Sequence, residues 1–152
     1  MNKLLAQIAK FGVVGVICFF IDYILYILLN FLFKKTGFAA SFPQYYLVSQ
    51  GISFIVSMIS NYLLSFKYVF VRREDMSRQK EFIIFAVLSA IGLLINEICL
   101  LIGIDLIYGH WTFLQKIMGR GFAETFFKLS ATGIVMVYNF ISRKMFLEKK
   151  TV

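Results

Sequence analysis

The sequence predicts an all-α membrane protein of four transmembrane helices, arranged as two repeated helical hairpins with both termini in the cytoplasm. Three observations predict it. The composition is 60% hydrophobic over 152 residues with a mean hydropathy of +0.80, more apolar surface than a soluble domain of this size can hide. Four stretches reach the roughly 20 residues that cross a bilayer: Phe11–Phe33, Tyr45–Phe66, Phe82–Ile107 and Ala123–Ser142. The basic residues are distributed unevenly between the two sides of such a weave.

The first stretch is about 23 residues long, against about 7–15 for the core of a signal peptide, and it carries Asp22 in its middle. It reads as a permanent helix. Pro43, the one proline, falls in the short connection before the second stretch. The connections Lys34–Gln44 and Tyr108–Phe122 read as outer loops, and Tyr45, Tyr46, Tyr108 and Trp111 fit an aromatic belt at that boundary. The central connection, Lys67–Glu81, is the most charged segment and reads as cytoplasmic.

The net charge is +8, which raises nucleic acid as a partner, but the distribution points elsewhere. Lys3, Lys10, Lys67, Arg72, Arg73, Arg78, Lys80, Arg143, Lys144, Lys149 and Lys150 fall on one side, whereas Lys34, Lys35, Lys116 and Arg120 fall on the other. The positive-inside rule then puts both termini and the central connection in the cytoplasm, where anionic headgroups also lie. Membrane lipids, not nucleic acid, are the expected contact of this charge. Cys18 and Cys99 lie inside predicted spans and read as small apolar residues, with no disulfide or metal spacing.

The halves echo one another. Phe11-Gly-Val-Val-Gly15…Asp22 aligns with Phe85-Ala-Val-Leu-Ser89…Asn96 at an offset of 74. Gln50…Asn61-Tyr62 aligns with Lys128…Asn139-Phe140 at an offset of 78. Each of these polar pairs is eleven residues apart, about three helical turns, so both members share a helix face. Repeats of two spans keep one orientation, which implies a pseudo-two-fold axis along the membrane normal. Ser53, Ser57, Gly92 and Gly103 read as packing positions, where small residues let helices approach.

Asp22, Glu97, Glu124 and Lys128 are ionisable residues within spans, and each costs about 2.5–3.5 kcal/mol at the centre of a lone helix. They are expected to face one another or a wet cavity. Glu124 and Lys128 are four apart and form a candidate local ion pair, or Lys128 attracts an anionic headgroup. Asp22 is a candidate to bond Asn61 or Asn96, and Glu97 to pair with Lys128 or to sit protonated among apolar neighbours. Lys67, Arg143 and Lys144 end helices at the cytoplasmic face, as topology signals and headgroup contacts or, for the planar fork of Arg143, as a grip on phosphate oxygens. The candidate lipid-phosphate and sugar contacts are therefore Asp22, Gln50, Asn61, Lys67, Asn96, Glu97, Lys128, Asn139 and Arg143. His110 is the only histidine, and no nucleophile triad, phosphate loop or metal-ligand cluster appears. The expectation is a non-enzyme without cofactor or metal.

From about Phe11 to Phe146 the chain resembles the GtrA-like family of small four-helix membrane proteins. Phe11-Gly-Val-Val-Gly15 with Ile21-Asp22 is similar to the family's opening motif. Asn61-Tyr62-Leu-Leu-Ser-Phe-Lys67-Tyr-Val-Phe70 resembles its first closing motif. Phe82-Ile-Ile-Phe85, Gly92 and Asn96, then Lys128-Leu129 and Asn139-Phe140-Ile-Ser-Arg143-Lys144, are similar to the second half. The resemblance implies one transmembrane domain over 1–152 and a flippase of a polyprenyl-phosphate-linked sugar, such as an undecaprenyl phosphate sugar, across the bacterial cytoplasmic membrane. Cell-envelope polysaccharide biosynthesis or teichoic acid glycosylation would consume that sugar. A homodimer or a complex with a membrane glycosyltransferase would complete so thin a pathway. Two other readings stand beside it: a non-transporting anchor or assembly subunit for a glycosyltransferase, and a small cation or drug exporter using Asp22 or Glu97.

Overall fold

The computed structural model describes residues 2–150, and all its extended secondary structure is helical. Helix α1 runs Lys3–Lys35, α2 Phe38–Ser41, α3 Tyr45–Tyr68 and α4 Arg78–Leu100. The end of α4 continues as wider, π-helical turns over Leu101–Tyr108. Helix α5 spans Thr112–Ile117 and α6 Arg120–Leu147. Helices α1, α3 and the α4 segment through Tyr108 are long and apolar enough to cross a membrane. The expected fourth span lies inside α6, which has the length at 28 residues but is less apolar, because Lys128, Asn139 and several Ser and Thr interrupt it.

The helices outrun the expected spans. Helix α1 starts at Lys3 rather than Phe11, and its 33 residues extend about 50 Å at 1.5 Å per residue, well beyond a hydrocarbon layer of about 30 Å. Helix α4 starts after Ser77, whose hydroxyl accepts from the Lys80 N–H at 3.3 Å, an N-cap of the usual kind. The connections over 36–44 and 109–119 hold the short helices α2 and α5, where loops were expected. Gly37 opens α2 at φ 80°, a left-handed backbone that a side chain would strain.

Two compact units emerge. In one, α1 packs on α3 and the C-terminal residues Lys149 and Lys150 join it. There the Lys149 N–H donates to the Val71 carbonyl at 2.9 Å. In the other, Arg73–Glu148, α4 and its π-helical turns pack on α6. These are the two hairpins of the sequence repeat, and burial follows the repeat at several positions along each helix. The buried Phe11, Val14 and Cys18 of α1 correspond at offset 74 to the buried Phe85, Leu88 and Gly92 of α4. The buried Ser53, Tyr62, Ser65 and Val69 correspond at offset 78 to Ala131, Phe140, Arg143 and Leu147, also buried. One face of each helix therefore keeps the same inward role in both units.

The seams are tight where the sequence is small. Ser57 reaches across from α3 and donates to the Cys18 carbonyl of α1 at 2.8 Å. A Cβ on Gly92 would lie 2.9 Å from Asn139 Oδ1, and one on Gly103 would lie 2.4 Å from Phe127 Cδ1 and 3.1 Å from Phe127 Cβ. The root of the Phe127 side chain cannot swing aside, so Gly103 is required by packing. Gly15, by contrast, has nothing within 4 Å of the equivalent position. Gly103→Ala is expected to destabilise the protein by about 1–3 kcal/mol, and Gly15→Ala by under about 0.5 kcal/mol. Reversible unfolding in mixed micelles, compared for the two variants, checks the contrast.

Candidate functional site

The polar residues singled out by sequence separate by burial. In the first unit, Asn61 and Asp22 are half-buried, whereas Gln50 and Lys67 are exposed. Asn61 Oδ1 accepts from the Ser65 hydroxyl at 3.0 Å, one turn along α3. Asp22 Oδ1 is shut from solvent, and Asp22 makes no hydrogen bond among the described residues. The expected bond to Asn61 is therefore not formed. Lys67 lies with its ammonium 5.2 Å from the Tyr68 ring, on the exterior.

The second unit holds the larger departures. Arg143 was expected at the headgroups, but it is 2% exposed. Its guanidinium sits 4.0 Å from the centre of the Phe85 ring, and Nη2 donates to the Ser89 hydroxyl at 3.0 Å. Ser89 in turn donates to the Phe85 carbonyl at 2.8 Å. The planar fork is thus used to stack and to tie α6 to α4. Glu81 is fully buried in the same unit, with Arg78 Nη1 3.5 Å away. Sequence reading passed over Glu81 as the edge of a loop. The signal was its alignment at offset 74 with Gln7, whose amide donates to the Val69 carbonyl at 3.0 Å. Where the first unit uses the neutral Gln7 and Ser65, the second uses the charged Glu81 and Arg143.

Glu124 does not pair with Lys128. It pairs back with Arg120, Nε to Oε1 at 3.1 Å, because Arg120 also lies one turn away on the same helix. Glu97 is exposed and does not pair with Lys128 either. The Lys128 ammonium makes no ion pair or hydrogen bond among the described residues and points out of the unit. Asn96 and Asn139 are half-buried. The Asn139 side chain lies against Gly92, and its Oδ1 is enclosed without a hydrogen-bond partner. At the other end of α6, Lys144 Nζ and Glu148 Oε2 pair at 2.5 Å.

Among the described residues, no three His, Cys, Asp or Glu side chains gather as a metal cluster. The site that emerges is a helical scaffold with enclosed amide oxygens, one buried guanidinium and one outward, unpaired ammonium.

Residues 10–147 match the GtrA/DPMS transmembrane domain. The chain belongs to that family. No curated protein and no solved structure matches it. Membership in the GtrA/DPMS family, with three apolar helices of spanning length, makes this a membrane-embedded protein and associates it with glycosylation. It agrees with the resemblance read from Phe11-Gly-Val-Val-Gly15, Asn61-Tyr62 and Asn139-Phe140.

At the start of the second unit of this GtrA/DPMS domain, the segment before α4 carries an ion pair. Arg73 Nη2 and Asp75 Oδ2 are 2.6 Å apart, with a second bond from Nε to Oδ1 at 3.0 Å. The hydrogen bond from Arg73 holds the Asp75 carboxyl below the ordinary carboxylate range, and Asp75 raises the Arg73 guanidinium in return. A folded-state value below the unfolded one means the pair is intact above pH about 3.9. It is lost as pH falls through the lower, folded value. Carbon NMR of the Asp75 carboxyl should show that late titration, and Arg73→Gln should return it to the ordinary range.

The buried Arg143 supplies a second check. Arg143→Lys keeps the charge but loses the flat stack on Phe85 and the geometry of the Ser89 bond. It is expected to destabilise the fold by about 1–3 kcal/mol, whereas the exposed Lys67→Ala stays within about 0.5 kcal/mol. Unfolding midpoints of the two variants in one detergent read the difference.

Proposed function

We propose that this chain is a non-catalytic translocator that passes a polyprenyl-phosphate-linked sugar between the leaflets of a bacterial cytoplasmic membrane. In this reading α1, α3, α4 and α6 all cross the bilayer, and both termini face the cytoplasm. A glycosyltransferase uses the sugar for a surface polymer or teichoic acid on the far side. Membership in a glycosylation-associated membrane family supports the class.

The observation that carries the reading is Lys128. It stands eight residues into α6, about 12 Å along the axis. Its ammonium is unpaired and turned outward among Phe126, Leu129 and other exposed apolar side chains. A cation at that place is disfavoured in hydrocarbon unless an anion meets it or its long stem snorkels to the surface. A lipid phosphodiester supplies the anion and keeps its prenyl tail in the bilayer, so no closed channel is needed. The half-buried Asn96 and Asn139 and the exposed Glu97 of the same unit offer acceptors and donors for sugar hydroxyls. Arg143 contributes by holding α4 and α6 together. Asp22, Gln50, Asn61 and Lys67 are the corresponding polar groups of the first unit.

The test uses vesicles containing the purified chain and polyprenyl-phosphate-linked glucose, with an impermeant probe outside. Protein-dependent exposure of the sugar is expected. It should slow roughly tenfold in Lys128→Ala, the loss of one charge-assisted contact, and persist in Lys128→Arg. Absence of exposure with folded wild-type chain overturns the self-sufficient translocator and favours a subunit that works only with its glycosyltransferase.

A further inference from the structure

The second unit contains a cavity of about 440 Å³ lined by Ile104, Asp105, Tyr108, Gly109, Gln115 and Arg120. Its size falls within the range of about 300–1,000 Å³ typical of small-ligand sites. It is an open cleft whose polar side chains Asp105, Gln115 and Arg120 are exposed, and three features mark it. Its wall is the π-helical stretch Leu101–Tyr108, and such widened turns recur at functional positions because they displace side chains from the regular helix face. The rim is braced: the Gln115 amide donates to the Tyr108 and Gly109 carbonyls at 2.8 and 3.0 Å, and the Tyr108 hydroxyl donates to the Met118 carbonyl at 3.0 Å. The polar groups at the cavity are incompletely used. The Asp105 carboxylate makes no hydrogen bond or ion pair among the described residues. Arg120 commits Nε to Glu124, while the guanidinium has further donors.

The repeat shows that this polarity belongs to the second unit alone. At offsets 74 and 78, Asp105 and Arg120 correspond to Phe31 and Phe42. Neither charge is therefore a feature that the two units share. The chemistry of the cavity selects among ligands. One carboxylate is too few for a bare cation, and it repels a free phosphate. A carboxylate that accepts, a guanidinium that donates and an amide oxygen on Gln115 suit a neutral polyol with several adjacent hydroxyls.

We propose that this cavity is a binding site for the glycosyl group of the lipid-linked sugar, with Asp105 accepting from its hydroxyls and Arg120 donating to them. The assignment rests on the translocator reading for its ligand and locates the sugar at residues that reading did not use. Trp111, the only tryptophan, lies two residues beyond Gly109 and is a built-in reporter.

The experiment places the full chain in nanodiscs and titrates polyprenyl-phosphate-linked glucose, with sugar-free polyprenyl phosphate as the reference probe, while Trp111 fluorescence is followed. The expected result is a saturable change with the glucosylated lipid alone, its affinity falling about tenfold or more in Asp105→Asn. Asp105→Asn keeps the side-chain size, and unchanged helical circular dichroism shows that it folds. An equal response to the sugar-free lipid, no response to either lipid, or full affinity in Asp105→Asn overturns the site. Running the vesicle assay on the same preparation separates the two proposals. Translocation with Asp105-independent binding sinks the cavity alone, and Asp105-dependent binding without translocation supports the cavity and sinks the translocator.

Discussion

Close approach of paired helices is the constraint on which the rest depends. Most large apolar side chains of α1, α3, α4 and α6 point away from the chain, as they must where hydrocarbon is the solvent. Burial of apolar surface then contributes little between helices, because lipid tails are as apolar as leucine. Cohesion falls to van der Waals contact and a few polar ties along narrow seams. Gly92 against Asn139, Gly103 against Phe127 and Ser57 on the Cys18 carbonyl are such contacts. Each needs a small residue in one helix and a fixed partner in the other.

The two seams are alike at some corresponding positions and differ at others. Phe11, Val14 and Cys18 have buried counterparts in Phe85, Leu88 and Gly92, a correspondence in burial that needs no polar motif to be seen. The ends of the seams near Gln7 and Glu81 then part company. The first unit closes with neutral bonds, from Gln7 to the Val69 carbonyl and from Ser65 to Asn61. The second buries Glu81 and Arg143 at the matching positions. A buried guanidinium is costly unless it is bonded and packed; Ser89 meets one of its donors and Phe85 covers its face, while Nε makes no hydrogen bond among the described residues. Such a seam is less tolerant of substitution than its neutral twin.

The all-helical, membrane-embedded class and the pairing of α1 with α3 and of α4 with α6 were legible because both are written in hydropathy and in the 74- and 78-residue offsets. Small seam residues such as Ser57, Gly92 and Gly103 were legible for the same reason. Other features turn on choices that spacing leaves open. Glu124 has a cation one turn away in either direction, Arg120 or Lys128, and local geometry chose Arg120. A basic residue at a helix end reads as a surface signal, so nothing short of the packed Phe85 ring shows that Arg143 turns inward. Helices α2 and α5 are too short for periodicity, and the π-helical turns at Leu101–Tyr108 keep an apolar sequence that reads as ordinary helix.

What remains outside the seams is where chemistry can act. A charge that a hairpin needs for its own cohesion is paired or stacked, as Arg143 is on Phe85. Lys128 and Asp105 are neither, although each lies in a helix built largely of apolar side chains. Their counterparts in the first unit are Gln50 and Phe31, both uncharged. The charge at either place is therefore not a feature that the two units share. Both side chains are exposed, and they are the groups that the proposed lipid-linked sugar would engage, Lys128 through its phosphate and Asp105 through its hydroxyls.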